Sequence, residues 1–130
     1  MPPYLAIYER DGDTFTRLPA AAQQPPGPGS AVAFSPDNTH MALAHGTNTA
    51  GVPGGVFIYA WDEGTLTKLP DPDVAPASSG RDVAYNSPDG AYLAVSHTSG
   101  ARVTIYSRSG DSYTKLPDPD VPPRGPTATP

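Results

Sequence analysis

The chain contains no cysteine. That excludes a disulfide framework, a thiolate zinc site and a thiol nucleophile. Basic residues are scarce: 8 Lys and Arg stand against 13 Asp and Glu, for a formal net charge of −5. Binding to nucleic acid needs clustered cations to neutralise phosphates, so neither nucleic acid nor an anionic membrane surface is expected as a partner. No apolar run approaches the roughly 18 residues that span a bilayer. The first residues, Met1-Pro2-Pro3-Tyr4, offer neither a basic nor an apolar stretch, so no signal peptide is expected. The motifs of catalysis are missing too: there is no Gly-x-Ser-x-Gly elbow, no phosphate-binding glycine loop and no His-Glu-x-x-His. No catalytic residue, cofactor or resident metal is expected, and the chain reads as a non-enzyme.

Proline and glycine are abundant, with 18 and 13 copies in 130 residues. That proline content argues against long helices, because an interior proline costs about 3 kcal/mol. Hydrophobic residues make up only 37% of the chain, so a stable core requires that they be well placed.

Their placement follows a repeat. Ile7-Tyr8-Glu9-Arg10-Asp11-Gly12-Asp13-Thr14-Phe15-Thr16-Arg17-Leu18-Pro19 recurs from Ile58 to Pro70 and again from Ile105 to Pro117. A second unit alternates with it. Val32-Ala33-Phe34-Ser35-Pro36-Asp37-Asn38 with Met41-Ala42-Leu43-Ala44-His45 recurs as Val83-Ala84-Tyr85, Ser87-Pro88-Asp89-Gly90 and Leu93-Ala94-Val95-Ser96-His97, with Asn86 inserted. Each unit reads as a β-hairpin. The first turns at Asp11-Gly12, Glu63-Gly64 or Ser109-Gly110. The second turns at Ser-Pro-Asp-Asn/Gly, where proline presets φ and Asn or Gly accepts a left-handed backbone. Five alternating hairpins give ten strands and almost no helix, with Ala33, Met41, Leu43, Leu93, Val95 and Ile105 expected in the core. Tyr8, Tyr59 and Tyr106 share one repeat position, and Phe15, Leu66 and Tyr113 another; both are expected to pack between sheets.

Two hairpins make a four-stranded unit about 47–51 residues long, the period of a β-propeller blade. The expected fold is all-β: antiparallel four-stranded propeller-type blades, about two and a half of them, in an incomplete or open propeller. The repeat domain spans 1–121, with a half-blade at 3–19 and blades at 31–70 and 82–117. A proline-rich extended tail, 122–130, follows.

Phe34-Ser35-Pro36-Asp37-Asn38, and Ser87-Pro88-Asp89-Gly90 followed by Ala91-Tyr92-Leu93-Ala94-Val95, resemble the FSPDG-x-YLAV element of WD40-like propeller repeats. Combined with Ile-Tyr and Lys-Leu-Pro, the pattern is more similar to propeller repeats in structural proteins of tailed bacteriophages. The resemblance covers nearly the whole chain. Trp61-Asp62 matches the WD40 dipeptide only by coincidence, since its counterparts are Arg10-Asp11 and Arg108-Ser109. The resemblance implies a virion component assembled in the bacterial cytoplasm, either a capsid decoration or a head- or tail-associated accessory protein. Outside a virion, a cytoplasmic location is expected.

The candidate contact residues are few. His45 and His97 share a repeat position and are weighed as metal ligands against polar residues that bond a neighbouring loop; no acidic residue stands at ligand spacing beside them. His40, whose counterpart is Tyr92, is expected to be partly exposed. Asp71, Asp73, Asp118 and Asp120 lie in two near-identical Leu-Pro-Asp-Pro-Asp runs, weighed as calcium ligands against solvated connectors. Tyr92 and Trp61 are the aromatic candidates for a carbohydrate partner, as in a lectin assembled from partial propellers. Two and a half blades cannot close a ring, for which four or more are typical. Protein partners are therefore expected: copies of the chain, larger virion proteins, or both.

Overall fold

A computed structural model describes residues 5–21, 23–25, 29–46, 55–76, 79–97 and 102–119. Asp120 and the tail 122–130 lie outside the described residues. The chain forms ten strands: β1 (Tyr8–Asp11), β2 (Thr14–Arg17), β3 (Gly29–Phe34), β4 (His40–His45), β5 (Gly55–Asp62), β6 (Thr65–Lys68), β7 (Gly80–Tyr85), β8 (Tyr92–His97), β9 (Val103–Ser109) and β10 (Ser112–Lys115). There is no helix among the described residues. Every pairing is antiparallel. β1 and β2 form a two-stranded sheet; β3–β6 and β7–β10 each form a four-stranded sheet in simple chain order.

The turns show why the repeat folds this way. Asn38 at φ 61° and Gly90 at φ 68° take the left-handed position of the two Ser-Pro-Asp turns. The Asp37 carboxylate braces its turn, accepting from Ser35 Oγ (2.6 Å), Thr39 Oγ1 (2.8 Å) and the Thr39 amide (3.1 Å). Asp89 does the same for Ala91, whose amide donates to it at 3.1 Å.

Strand alternation gives each sheet two faces. The leading face looks back toward the preceding unit of the chain, and the trailing face looks forward. On β3–β6, the leading-face residues Met41, Leu43, Tyr59 and Leu66 cluster with Leu5, Ile7 and Ala21 around the β1–β2 hairpin. The trailing-face residues Ala42, Ala44, Val56 and Ile58 cluster with Val83, Leu93, Val95, Tyr106 and Tyr113 of the next sheet. The result is a stack of hairpin, sheet and sheet. The two full sheets approach most closely at β3, β4 and β7. A Cβ on Gly80 would strike the Gly55 carbonyl and crowd Ala44 Cβ at 3.1 Å, so only glycine lets the two backbones meet there.

Position in the stack sets burial. β4 lies between two layers and is buried throughout, whereas β8 alternates because nothing covers its trailing face among the described residues. Met41, Leu43, Leu93 and Val95 are core residues, as expected. Ala33 and Ile105 are only half-buried: Ala33 sits at the end of the edge strand β3, and Ile105 faces the open trailing side. Two further expectations are corrected. Tyr8 and Phe15 do not pack between sheets, because no unit precedes their hairpin among the described residues. His40 is buried, because the second sheet covers it.

Candidate functional site

The joint between the two full sheets holds most of the polar chemistry. His40 opens β4 on its trailing face and meets the β9–β10 turn. Its Nε2 lies 2.8 Å from Asp111 Oδ1, and its Nδ1 lies 2.6 Å from the Tyr113 hydroxyl. Tyr113 in turn lies 2.9 Å from the Tyr85 hydroxyl. One direction satisfies every group: Tyr85 donates to Tyr113, Tyr113 donates to His40 Nδ1, and His40 Nε2–H donates to Asp111. Burial pushes the Tyr113 and Tyr85 phenols up, and donation to Tyr113 raises Tyr85 further. A raised phenol is the wrong direction for a base or nucleophile. The relay ties the two sheets through His40, which meets Asp111 and Tyr113 of the second sheet, while Tyr85 and Tyr113 pair within that sheet.

A second lock lies beside it. Arg108 places Nε 3.3 Å from the Gly110 carbonyl and extends Nη2 to Thr39 Oγ1 (2.7 Å) and Asp37 Oδ2 (3.2 Å). Hydrogen bonds from Ser35 and Thr39, with Arg108 alongside, hold the Asp37 carboxyl well below the usual carboxylate range.

Tyrosines on the leading faces fasten the connectors. The Tyr59 hydroxyl donates to the Gln23 carbonyl at 2.8 Å, and that of Tyr106 donates to the Val74 carbonyl at 2.6 Å. Asp73 continues this attachment: its amide donates to the Tyr113 carbonyl at 3.3 Å, and its carboxylate accepts the Lys115 amide at 2.9 Å.

The structure separates the sequence candidates. His45 is buried against Phe57 on the leading face of β3–β6, with Nδ1 3.1 Å from the Gly46 carbonyl. His97 is buried on the leading face of β7–β10, with Nε2 2.8 Å from Thr104 Oγ1 and with Nδ1 unpartnered among the described residues. The two histidines therefore do not share a site. Asp71 and Asp118 pair with Lys68 (2.7 Å) and Lys115 (2.9 Å) in matching contacts. Asp71, Asp73 and Asp111 do line one shallow groove with Tyr113, but each is engaged by a donor of this chain. Among the described residues, no cluster of three or more His, Asp or Glu is arranged to hold a metal ion. Trp61 lies half-buried on a leading face, edge-on to Phe34, while Tyr92 is exposed on the trailing face of the other sheet. They build no common platform.

The ends of the stack carry the strongest departure from the repeat. Tyr8 is 53% exposed, while its counterparts Tyr59 and Tyr106 are each 0% exposed. Phe15 is 64% exposed against 4% for both Leu66 and Tyr113; Val32, on the β3 edge of the middle sheet that the two-stranded hairpin does not cover, is 53% exposed against 5% for Val83. Tyr92, on the trailing face, is 47% exposed. The free edge of β1 shows the same deficit: the Trp61 and Arg108 amides donate to Thr39 and Ala91 carbonyls at 2.8 Å, whereas β1 has no strand on Arg10's side among the described residues.

Sequence reasoning missed both locks. Arg10 and Arg108 share a register, as do Asp37 and Asp89, and that much is readable. That a strand residue reaches the turn of the preceding unit is not, because it depends on how sheets stack. No family model, curated protein or solved structure matches this chain.

Proposed function

We propose that this chain is a non-enzymatic structural module that works through protein–protein contacts at the ends of its stack. One observation carries this reading: repeat positions that are buried inside the stack are exposed at its ends among the described residues. Apolar surface of this kind, set at the ends of the stack by the architecture, marks a docking region. The free backbone edge of β1 adds a second means of attachment, because an unpaired strand edge can accept a further strand. The internal chemistry supports the same role, since the histidine relay and the arginine lock are spent on holding sheets together. We place the module in an open propeller-type architecture, on the period and order of its hairpins. The resemblance to tailed-phage repeats supports a virion as its setting, as a capsid decoration or a head- or tail-associated accessory protein.

A dye that fluoresces on apolar surface tests the reading. The native protein should bind it saturably. Replacing Phe15 and Val32 with Asp should remove more than half of the signal, while each change alters stability by less than about 1 kcal/mol. A cooperatively folded protein that leaves the dye unbound would overturn the proposal.

A further inference from the structure

We propose that the two ends of the stack recognise each other, so that a second copy of the chain docks head to tail. The trailing face of β7–β10 on one copy seats on the β1–β2 hairpin of the next. This rests on the proposed docking role and names its partner.

The joint between the two full sheets supplies the template. Repeat register places Arg10 where Arg108 stands, Asp13 where Asp111 stands and Phe15 where Tyr113 stands. At the opposite end, Asp89 stands where Asp37 does, Tyr92 where His40 does and Ile105 where Ile58 does. The leading end thus carries the β9–β10 part of that joint, and the trailing end carries the surface that this part meets.

Arg10 is poised for this role. Arg108 holds its pose through Nε on the carbonyl of the turn glycine, leaving Nη2 for Asp37. Arg10 has the same pose, with Nε 2.8 Å from the Gly12 carbonyl, and its terminal nitrogens have no acceptor among the described residues. Asp89 is the matching anion. Its Oδ1 accepts from Ala91 and Asn86, just as Asp37 Oδ1 serves its own turn, and its Oδ2 meets no cation among the described residues. Docking in the register of the internal joint brings Arg10 to Asp89 Oδ2. Ala91 replaces Thr39 at this end, so the carboxylate is the sole acceptor.

The aromatic contact changes in a consistent way. Inside, the His40 and Tyr113 rings lie 5.7 Å apart, and the phenol hydroxyl serves the imidazole. At the ends, Phe15 lacks that hydroxyl and Tyr92 lacks the imidazole that would need it. Tyr92 instead brings its own hydroxyl toward Asp13, as His40 brings Nε2 to Asp111. Half-buried Ile105 takes the place of fully buried Ile58. Val32 and Phe34 stay outside this contact, because the hairpin has only two strands. A head-to-tail contact leaves one free end of each kind, so copies add until a ring closes or a fibre grows.

Sedimentation across a concentration series tests this with charge reversals. The wild type should associate as concentration rises. Arg10→Glu and Asp89→Arg should each shift association to at least about tenfold higher concentration, because each puts like charges across the contact. An equimolar mixture of the two variants should associate like the wild type. In the mixture the introduced carboxylate of one variant faces the introduced guanidinium of the other, and the native pair re-forms at the next contact. Phe15→Asp, which alters no turn, should also weaken association. A wild type that stays monomeric to millimolar concentration, single variants that associate like the wild type, or a mixture that stays apart would each overturn the proposal. A monomer that still binds the apolar dye would overturn the head-to-tail contact and leave the docking role standing with a different partner.

Discussion

Tyr106→Ala should destabilise the fold by about 3–5 kcal/mol, while Tyr8→Ala at the same repeat position should change stability by less than about 1 kcal/mol. Tyr106 is fully buried, lies opposite Leu93 on β8 and holds the Val74 carbonyl. Truncation removes an aromatic ring from the joint between sheets and takes the donor from that carbonyl. Domains of this kind are stable by only about 5–15 kcal/mol, so the loss is a large share of the total. Tyr8 occupies the same repeat position but has no layer against its ring among the described residues. Urea denaturation of both variants measures the difference. Equal losses would mean that the hairpin is covered like the inner sheets, contrary to the structure.

Raising the pH above the ordinary tyrosine range should unfold the protein steeply. Burial pushes the Tyr59 phenol up to about 12. It also raises Tyr106, helped by the charge of Asp73, and it raises Tyr85 and Tyr113 at the joint between the two full sheets. Tyrosine in an unfolded chain ionises near pH ~10. Below that pH both states keep their protons and the stabilisation is fully present. Above it the unfolded chain sheds protons that the folded chain retains, so stability falls as pH rises toward the folded values. Each such group contributes a slope of about 1.4 kcal/mol per pH unit, and four together on the order of 5. Stability should therefore be insensitive to these groups from neutral pH to about 10 and collapse within one or two units above it. Tyr106→Phe should make that fall shallower by about one proton. Ionisation of these four buried tyrosines and unfolding should occur together. Full ionisation of the buried tyrosines before unfolding would contradict the arrangement.

The strands are legible in the sequence because each hairpin carries its own turn chemistry. Asp37-Asn38 and Asp89-Gly90 fix where the chain reverses, and the left-handed φ falls on Asn38 and Gly90, the residues that accept it. Alternation then assigns faces, which is why Met41, Leu43, Leu93 and Val95 can be placed in the core. Layer order is harder to read. Ile105 and Ile58 are the same residue at the same repeat position, and only the presence of a following sheet decides that one is half-exposed. The same holds for Phe15 and Tyr8, which follow the packing pattern in sequence but stand at the end of the stack. His40 is obscured by its counterpart Tyr92: substitution at a repeat position suggests tolerance, whereas the histidine is matched to a tyrosine, Tyr113, 73 positions away. Such pairings between sheets leave no local trace.

The absence of cysteine permits the most direct test of the stack's open end. Single cysteines placed at Phe15, Leu66 and Tyr113 occupy one repeat position in three successive layers, and a thiol reagent reads their accessibility in the native, dilute protein. Phe15→Cys should react at the rate of an exposed thiol, while Leu66→Cys and Tyr113→Cys should react at least about tenfold more slowly, limited by opening of the joints. Equal rates at all three positions, or a protected thiol at position 15 in the dilute monomer, would contradict a stack whose leading end is bare.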